Sequence, residues 1–531
     1  MKPPATDAPA TAPTNTRPVH PALAFPVIFA FIFALHVPLL HLPYFWDEAG
    51  YYVPAARDLF MSGALIPHSV PSNAHPPLVM AYLALWWEVF GYAPIVTRTA
   101  MLLVAAFSLL GVFRLAQRVA NTQVAVASTI CTAIYPVFFT QSSLAQVDLA
   151  AAGLIFWGLH DYLEDWPLRA AVWFSLAALA KETAILAPLA LLFWELVCPW
   201  LTTSFFLFSK RGWKRLSLLT PSAPLGLWYA YHYWRTGYVF GNPEFFRYNV
   251  EATLSPVRIA LAFGLRLWQA VGYQNLFVLT VATLMALWLP ALQDAHKKRR
   301  RIPVAVQSVF MAVIAVYVMT MAIIGGAELA RYMLPAVPLV IIVCVSTLWR
   351  RVRLWQPVLA LVALAFAAGL FVNPPYSFAL EDNLAYRDYI LLHQNAERLL
   401  EARYPMARVL TAWPASDEIT RPYLGYLTRP MQALRIEDFS MEQVMSAGEV
   451  RPSFDVALIF STRYEPPHPL LENWPAWERI RARYFGYRRG LPLGAAAQVL
   501  GGRVVYSETR NGQWVGVIEM EQVQEARVGA H

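Results

Sequence analysis

Charged residues are scarce in this chain of 531 residues. Asp, Glu, Lys and Arg together make up 14% of it, against about 25% in soluble domains, while hydrophobic residues reach 57%. So little charge excludes an ordinary cytosolic enzyme, a disordered chain and a nucleic-acid-binding protein. The composition instead predicts a polytopic α-helical membrane protein.

Cysteine is rare as well. Cys131, Cys198 and Cys344 lie inside apolar stretches, so the sequence offers no disulfide framework. A glycine-rich phosphate loop and internal repeats are also missing. Residues 1–21 have no apolar run and are rich in Pro, Ala and Thr. We therefore predict a disordered cytoplasmic tail there rather than a cleaved signal peptide.

Hydrophobic segments, in contrast, are abundant. About 20 apolar residues are needed to cross the hydrocarbon core of a bilayer as a helix, and the first such segment is predicted to act as an uncleaved signal anchor. We predict about eleven transmembrane helices, near residues 23–42, 95–115, 124–139, 149–162, 168–180, 183–201, 216–234, 275–292, 304–324, 333–349 and 357–372.

The basic residues, which give the chain a formal net charge of +8, orient these segments. With the N-terminus inside, every strong cluster of Lys and Arg falls in a cytoplasmic loop, as the positive-inside rule requires. The long segments 43–94, 235–272 and 374–531 are then external. Apolar stretches within them, at 51–61, 78–90 and 256–268, are predicted to be interfacial helices.

The composition changes after residue 373, where charge density becomes ordinary and no spanning segment follows. A helical pattern covers 384–404, and short strands are predicted at 408–413, 455–460, 498–506 and 514–519. We expect a C-terminal extracytoplasmic α/β domain over residues 374–531.

Asp47 and Glu48 are adjacent carboxylates just beyond the outer end of the first predicted span. Acidic groups at a membrane surface are costly and often functional. Asp47 can serve as a general base or a metal ligand. Equally, the pair can mark a helix N-terminus, where acidic residues favour the helix dipole.

Asp148 opens the fourth predicted span and is placed on the same external side as Asp47. Alone, it is typical of a helix N-cap. Together with Asp47, it could share a metal ion or divide base and orienting roles between two carboxylates.

Two basic residues also fall on the external side, against the positive-inside rule. Arg331 could bind a phosphate bidentately or pair within a helix with Glu328. Lys181 could bind an anion or reach to the interface by snorkelling. His75, before two prolines in the first external loop, is either a plain loop residue or a ligand for a phosphate or a metal.

These residues resemble a known pattern: the integral-membrane glycosyltransferases of the GT-C superfamily, in the branch of protein O-mannosyltransferases and the aminoarabinose transferase of lipid A. The resemblance rests on Asp47-Glu48, Pro76-Pro77-Leu78, Asp148 in a Gln-x-Asp context, the Lys181 position and Arg331-Tyr332-x-Leu334-Pro335. It implies that residues 22–373 form a transmembrane catalytic domain. The C-terminal domain carries no part of it.

The resemblance implies an inverting transfer of a sugar from a polyprenyl-phosphate carrier to a lipid, glycan or protein acceptor outside the inner membrane. Asp47 would be the catalytic carboxylate, assisted by Glu48 and Asp148. The carrier phosphate would be bound by Arg331, Lys181, His75 and Tyr332. The enzyme would use either a divalent metal ion, with Asp47 and Asp148 as candidate ligands, or no cofactor.

One departure from the family limits this carry-over. The aminoarabinose branch has Glu-Lys before its Pro-Pro, where this chain has Ala74 and His75. The carrier-binding lysine and metal-binding glutamate of that branch therefore have no counterpart here. Three other functions stay open: a transporter or flippase of lipid-linked glycans, a membrane-anchored binding or scaffold protein, and an oligosaccharide ligase or polymerase.

Overall fold

The computed structural model describes residues 21–201, 208–250, 253–294, 297–450, 453–468 and 474–520. The predicted N-terminal tail therefore lies outside the described residues, apart from Pro21. The first nine helices are α1 (Pro21–His36), α2 (Val53–Ser62), α3 (Leu78–Phe90), α4 (Pro94–Val119), α5 (Thr122–Ile134), α6 (Pro136–Gln141), α7 (Val147–Leu163), α8 (Pro167–Ala180) and α9 (Leu186–Leu201). The next eight are α10 (Phe208–Leu219), α11 (Ser222–Thr236), α12 (Pro243–Asn249), α13 (Pro256–Val271), α14 (Leu276–Leu287), α15 (Val304–Ile323), α16 (Val337–Arg351) and α17 (Trp355–Phe371).

Each predicted spanning segment contains a helix. The segment 124–139 is divided into α5 and α6, because Pro136 cannot continue the hydrogen-bond ladder of α5 but suits the first turn of α6. Among the described residues, α4 and α15 have the length and composition of a complete span. α13 and α14, bent by 76°, make a third if they count as one span, and several other apolar helices are shorter.

The interfacial stretches are helical too. α3 covers the predicted 78–90, and α2 begins two residues later than predicted. A π-helical turn over Glu48–Tyr52 precedes α2. Asp47 is the residue just before this turn, and Glu48 is the first residue in it. α13 matches the third stretch and extends to Val271.

The basic loops lie at one end of the helices. Arg118 pairs with Glu164 at 2.5 Å and Lys214 with Asp165 at 3.4 Å, which brings the end of α4, the loop after α7 and the basic helix α10 together. Asp148 stands at the start of α7. This helix has 17 residues, so its first and last residues are about 25 Å apart. Asp148 and the basic loops therefore occupy opposite ends of the bundle.

The C-terminal part begins with α18 (Ala385–Arg403) and contains the helices α19 (Ala415–Thr420), α20 (Met441–Glu449), α21 (Pro475–Phe485) and α22 (Leu493–Leu500). Earlier in the chain, in a basic loop, two strands of two residues each form a hairpin: β1 (Gln293–Asp294) and β2 (Lys297–Lys298). The other strands are β3 (Arg408–Ala412), β4 (Gln432–Ile436), β5 (Val456–Phe460), β6 (Gly502–Arg510) and β7 (Gln513–Met520).

These strands form a mixed sheet in the order β4-β3-β5-β7-β6. β3 runs parallel to β4 and β5, whereas β7 runs antiparallel to β5 and β6. The mixed α/β character is as predicted, and β4 is an additional strand. The predicted strand 498–506 starts too early, because α22 continues to Leu500 and ends at the left-handed Gly501 (φ 63°).

The C-terminal part packs directly on the first long loop. The backbone N–H of Tyr44 donates to the carbonyl of Leu424 (3.2 Å), and the hydroxyl of Tyr426 donates to the carbonyl of Tyr44 (3.0 Å). Trp413 lies against Gly50, where any side chain larger than hydrogen would meet the indole ring. One continuous buried core joins the two parts, so the sheet domain fixes the loop that carries Asp47.

Candidate active site

A cavity of about 1890 Å³ lies between the helical bundle and the C-terminal sheet domain. Its walls come from the first long loop, the junction of α8 and α9, the turn before α16 and the segment between α17 and α18. Of the predicted site residues, Asp47, His75, Lys181, Arg331 and Tyr332 line it. Glu48 and Asp148 do not line it and lie behind its wall.

Arg331 is the centre of the ionic network at this wall. It sits in a short 3₁₀ turn, Ala330–Met333, and its side chain is only 3% exposed. Its guanidinium donates to Asp47, approaches Asp148 at 3.2 Å through Nε, and donates to Glu381 at 2.5 Å through Nη1. Burial alone lowers the pKa of Arg331, but the carboxylates of Glu381, Asp47 and Asp148 outweigh it and raise that pKa well above its usual value.

The carboxylates around Arg331 differ in their access to the cavity. The side chain of Asp47 is 30% exposed, whereas those of Asp148 and Glu381 are 3% and 4% exposed. Asp47 is therefore the most accessible of these partners, although Glu381 also lines the cavity. It makes no capping hydrogen bond at the turn that it precedes, so the helix N-terminus interpretation does not describe its side chain.

Lys181 is the second cation of the network. Its Nζ donates to Asp148 and stands 4.1 Å from the centre of the Tyr332 ring, and the side chain is 8% exposed. Snorkelling to the interface is thus not its role in this structure. Asp148 is likewise more than a helix cap, because both cations contact it. The network contains three carboxylates and two cations.

Glu381 and Asp382 complete this wall, and sequence reasoning did not identify them. Burial raises the pKa of Glu381 more than Arg331 lowers it. Burial and the neighbouring Glu381 raise the pKa of Asp382 to about 8, and the Tyr273 hydroxyl donates to that carboxylate at 2.6 Å. One feature of the sequence could have indicated them: they are a second pair of adjacent carboxylates, and they follow the last predicted span on the same side as Asp47-Glu48.

Glu48 forms a separate ion pair behind the wall. Both its oxygens accept from Arg98, at 2.5 and 3.0 Å, and both side chains are at most 1% exposed. Arg98 also donates to the carbonyls of Pro43 and Ser143. This pair therefore fastens the start of α4 to the loops before α2 and α7, and Arg98 was not singled out from sequence.

His75 lines the cavity beside Glu182, which is also new. His75 Nδ1 lies 3.0 Å from Glu182 Oε2, and the ring packs against Tyr51, Tyr52 and Phe245. Burial on its own raises the pKa of Glu182, but the charge and hydrogen bond of His75 outweigh it and lower the pKa to about 2. His75 is thus held against Glu182, the residue that directly follows Lys181 of the Arg331 network.

The guanidinium of Arg331 contacts both Asp47 and Asp148, the two candidate metal ligands. These carboxylates consequently fit a bound cationic side chain. Within the described ranges, the only His, Cys, Asp and Glu group with metal-like spacing is His393, Glu397 and Glu418, in the C-terminal domain.

The sequence and the fold were compared with those of known proteins. Residues 74–219 match the family model described as dolichyl-phosphate-mannose-protein mannosyltransferase. The whole fold is similar to ArnT from Cupriavidus metallidurans bound to undecaprenyl phosphate, with a TM-score of 0.56 and 13% identity, covering 93% of this chain and 97% of that chain. The apo state of the same protein gives 0.55 and 14%, covering 93% and 98%. No curated protein matches this chain in sequence.

The family match over residues 74–219 and the similarity of the whole fold both point to the multi-pass integral-membrane glycosyltransferases of the GT-C class. Within that class, residues 74–219 are similar to the protein mannosyltransferase family, and the fold is similar to that of ArnT. The resemblance found in the sequence is thereby confirmed.

Proposed function

We propose that the protein transfers a sugar from a polyprenyl-phosphate carrier to an acceptor at the extracytoplasmic face of the cytoplasmic membrane. The observation that carries this proposal is the Arg331 network, in which a buried guanidinium is held at the cavity wall and Asp47 is by far the most exposed of its carboxylate partners. A phosphate-binding cation and a reachable carboxylate are the two groups that such a transfer needs.

The donor phosphate would bind Arg331 and Lys181. A guanidinium binds phosphate bidentately, and the ammonium of Lys181 stands on the ring of Tyr332 next to it. Because these cations are already paired with carboxylates, the phosphate must displace one of them. Asp47 is the most exposed partner, so it is the one that leaves.

When the donor phosphate takes the place of Asp47 on Arg331, the Asp47 carboxylate would become free to act as a base. Once Asp47 is released from Arg331, its carboxylate can take the proton of an acceptor hydroxyl. The acceptor oxygen then attacks the anomeric carbon of the sugar while the bond from that carbon to the phosphate oxygen breaks. The polyprenyl phosphate leaves with its charge held by Arg331 and Lys181, and the configuration at the anomeric carbon inverts.

The other predicted site residues take supporting roles in this scheme. Asp148 would orient the two cations, since it contacts both. Glu48 would position the turn that carries Asp47. His75 and Tyr332 would form the cavity wall near the donor, with Glu182 holding the His75 ring. No step requires a metal ion at Asp47 and Asp148.

We further propose the topology on which this scheme depends. About eleven segments would cross the membrane, with residues 1–21 inside and the C-terminal domain, 374–531, outside. The support is the separation of charges along the helices: the basic loops meet at one end of α7, and the Arg331 network lies at the other. Basic loops belong on the cytoplasmic side.

The acceptor would enter between the bundle and the sheet domain. The C-terminal part contributes Trp413, Trp477, Arg421 and Arg481 to the lining of the cavity. We assign the acceptor to this wall. Lipopolysaccharide, another envelope glycan and a protein hydroxyl are the acceptor classes that the proposal includes.

The proposal is tested by deleting the gene and comparing the masses of envelope glycans, lipopolysaccharide and glycoproteins with those of the parent. We expect the loss of one sugar residue from one of these classes, restored by the wild-type gene and not by Asp47→Asn. Loss of a complete oligosaccharide would indicate a ligase, and accumulation of lipid-linked sugar on the cytoplasmic side alone would indicate a flippase. An unchanged mass profile in all three classes would contradict the proposal.

A further inference from the structure

A second ionisable cluster lies inside the C-terminal domain, away from the Arg331 network. His393 and Glu397 are four residues apart on α18, which places their side chains on one helix face. Glu418 belongs to α19, which follows β3. One ligand atom from each residue lies within 4.8 Å of the others, and all three side chains are at most 1% exposed.

The contacts inside the cluster leave polar atoms unpaired. His393 Nδ1 lies 2.6 Å from Glu418 Oε2 and 3.6 Å from Glu397 Oε1. Among the described residues, no donor contacts either oxygen of Glu397, and Glu418 Oε1 and His393 Nε2 also lack a partner. An unpaired buried carboxylate is strongly destabilising, so the cluster calls for a further positive species.

The surroundings of the cluster supply no cation. In the part of the chain that the structure describes, no Lys or Arg forms an ion pair with Glu397 or Glu418. The His393 ring is stacked on Tyr389 at 3.8 Å and meets the edge of Phe460 at 4.5 Å. A protonated His393 would balance one carboxylate only. A dication with a neutral imidazole balances both.

We propose that His393, Glu397 and Glu418 bind one divalent transition-metal ion of the zinc type. One imidazole nitrogen and two carboxylate oxygens form a donor set that zinc accepts. Ligand atoms of a tetrahedral zinc ion with bonds of about 2.1 Å lie about 3.4 Å apart, which the spread of the three ligand atoms permits. Magnesium and calcium, which prefer oxygen ligands, fit this nitrogen-containing set less well.

The ion would tie α18 to α19 and thereby fix one wall of the active-site cavity. Trp413, just before α19, meets Trp46 edge-on at 5.3 Å, and Trp46 precedes Asp47. Phe45 meets Tyr389 at 5.3 Å from the other side. The site is therefore structural: it holds the loop of Asp47 from behind and does not contact the reacting groups.

The experiment uses the full-length protein purified in detergent. It is stripped with EDTA, dialysed against zinc chloride and then against metal-free buffer, and its zinc content and thermal unfolding temperature are measured. We expect one zinc per chain and a higher unfolding temperature with zinc than with EDTA. Zinc-edge X-ray absorption should fit one imidazole and carboxylate oxygens.

Matched variants locate the ion. Glu397→Gln and Glu418→Gln should reduce bound zinc to background, whereas Glu437→Gln, the same change at an exposed position of this domain, should retain it. Asp47→Asn should also retain it, which separates this site from the transfer chemistry. If the Gln variants do not fold, the wild-type measurement decides alone.

The proposal is overturned by an unfolding temperature of the wild type that is the same in EDTA and in zinc, or by equal zinc in wild type and folded Glu397→Gln. Either result would mean that a proton shared by the two carboxyl groups balances the cluster. Zinc lost in Asp47→Asn instead would place the ion in the active site and also overturn the assignment.

Discussion

Arg331 donates to Asp47 across 284 positions of the sequence, and this ion pair joins the two halves of the proposed active site. Asp47 belongs to the loop after α1, and Arg331 to the turn before α16. As long as the pair is formed, the guanidinium occupies Oδ2 of the Asp47 carboxylate. Proton transfer to Asp47 would therefore require a ligand that separates its side chain from that of Arg331.

Asp47→Asn is expected to lower the rate of sugar transfer by about 10²–10⁴-fold, the usual contribution of a general base. The amide cannot take a proton from the acceptor, although it still accepts a hydrogen bond from Arg331. Turnover of a lipid-linked sugar by the purified protein is the measurement. The control is Asp165→Asn, at an exposed position (φ 60°) that asparagine tolerates at the other end of the bundle. Wild-type turnover by Asp47→Asn would refute the role of base.

Arg331→Lys is expected to raise KM for the lipid-linked donor more than it lowers kcat. A lysine retains the charge but loses the planar fork that binds a phosphate and several carboxylates at once. Arg353→Lys, the same change at an exposed position beyond α16, should leave both constants unaltered. A selective loss of kcat at an unchanged KM would place Arg331 in the acceptor step instead.

Arg331→Ala is expected to do more than weaken donor binding. Asp148 and Glu381 are nearly inaccessible to water, and without the guanidinium they become buried charges without their main partner. Removing one member of a buried ion pair costs ~3–5 kcal/mol. The unfolding temperature in detergent should therefore fall clearly below those of Arg331→Lys and the wild type, and an unchanged value would contradict the network.

The sequence predicted the helices and the proximity of four candidate site residues for one physical reason. Spanning segments are long and apolar, and the positive-inside rule gives each loop a side, so Asp47, Asp148, Lys181 and Arg331 were placed together without any contact being known. What it could not predict were partners distant in sequence. The alternative pairing of Arg331 with Glu328 was wrong because Glu328 has φ 53° outside any helix and approaches Arg258 at 3.6 Å.

Glu48 shows a second limit of sequence reasoning. Adjacent carboxylates suggest a shared task, yet the turn over Glu48–Tyr52 directs Asp47 to the cavity and Glu48 to Arg98. Neither residue carries a pattern that distinguishes the two directions. Glu381 was missed for a similar reason: it lies in a linker without periodicity, and only the tertiary fold brings it to Arg331.

The Glu48–Arg98 pair is expected to support stability. Glu48→Gln leaves the Arg98 guanidinium buried with a weaker partner and should cost ~3–5 kcal/mol. The double variant Glu48→Gln with Arg98→Gln should be less destabilised than the sum of the two single changes, because neither unpaired charge remains. The folded fraction of Glu48→Gln should keep the wild-type pH profile of transfer. Strict additivity in the cycle would show that the pair is not coupled.

Asp382 is expected to make the protein less stable as pH rises. Its pKa is raised from 3.8 to about 8 in the folded protein, first by burial and then by Glu381. The folded state therefore binds the proton more tightly than the unfolded chain, and stability declines from about pH 4 to about pH 8, by at most ~1.4 kcal/mol per pH unit. Asp382→Asn, which still accepts from Tyr273, should lack this decline.

The measurement is the unfolding temperature of both proteins in detergent from pH 4 to 8. The two should be most similar at pH 4, close to the unfolded-state pKa of 3.8, where the loss of stability has barely begun, and the variant should be the more stable at pH 8. Asp165→Asn, at an exposed carboxylate, should follow the wild type throughout. A variant that loses stability with pH as steeply as the wild type would show that Asp382 is already ionised in the folded protein at low pH.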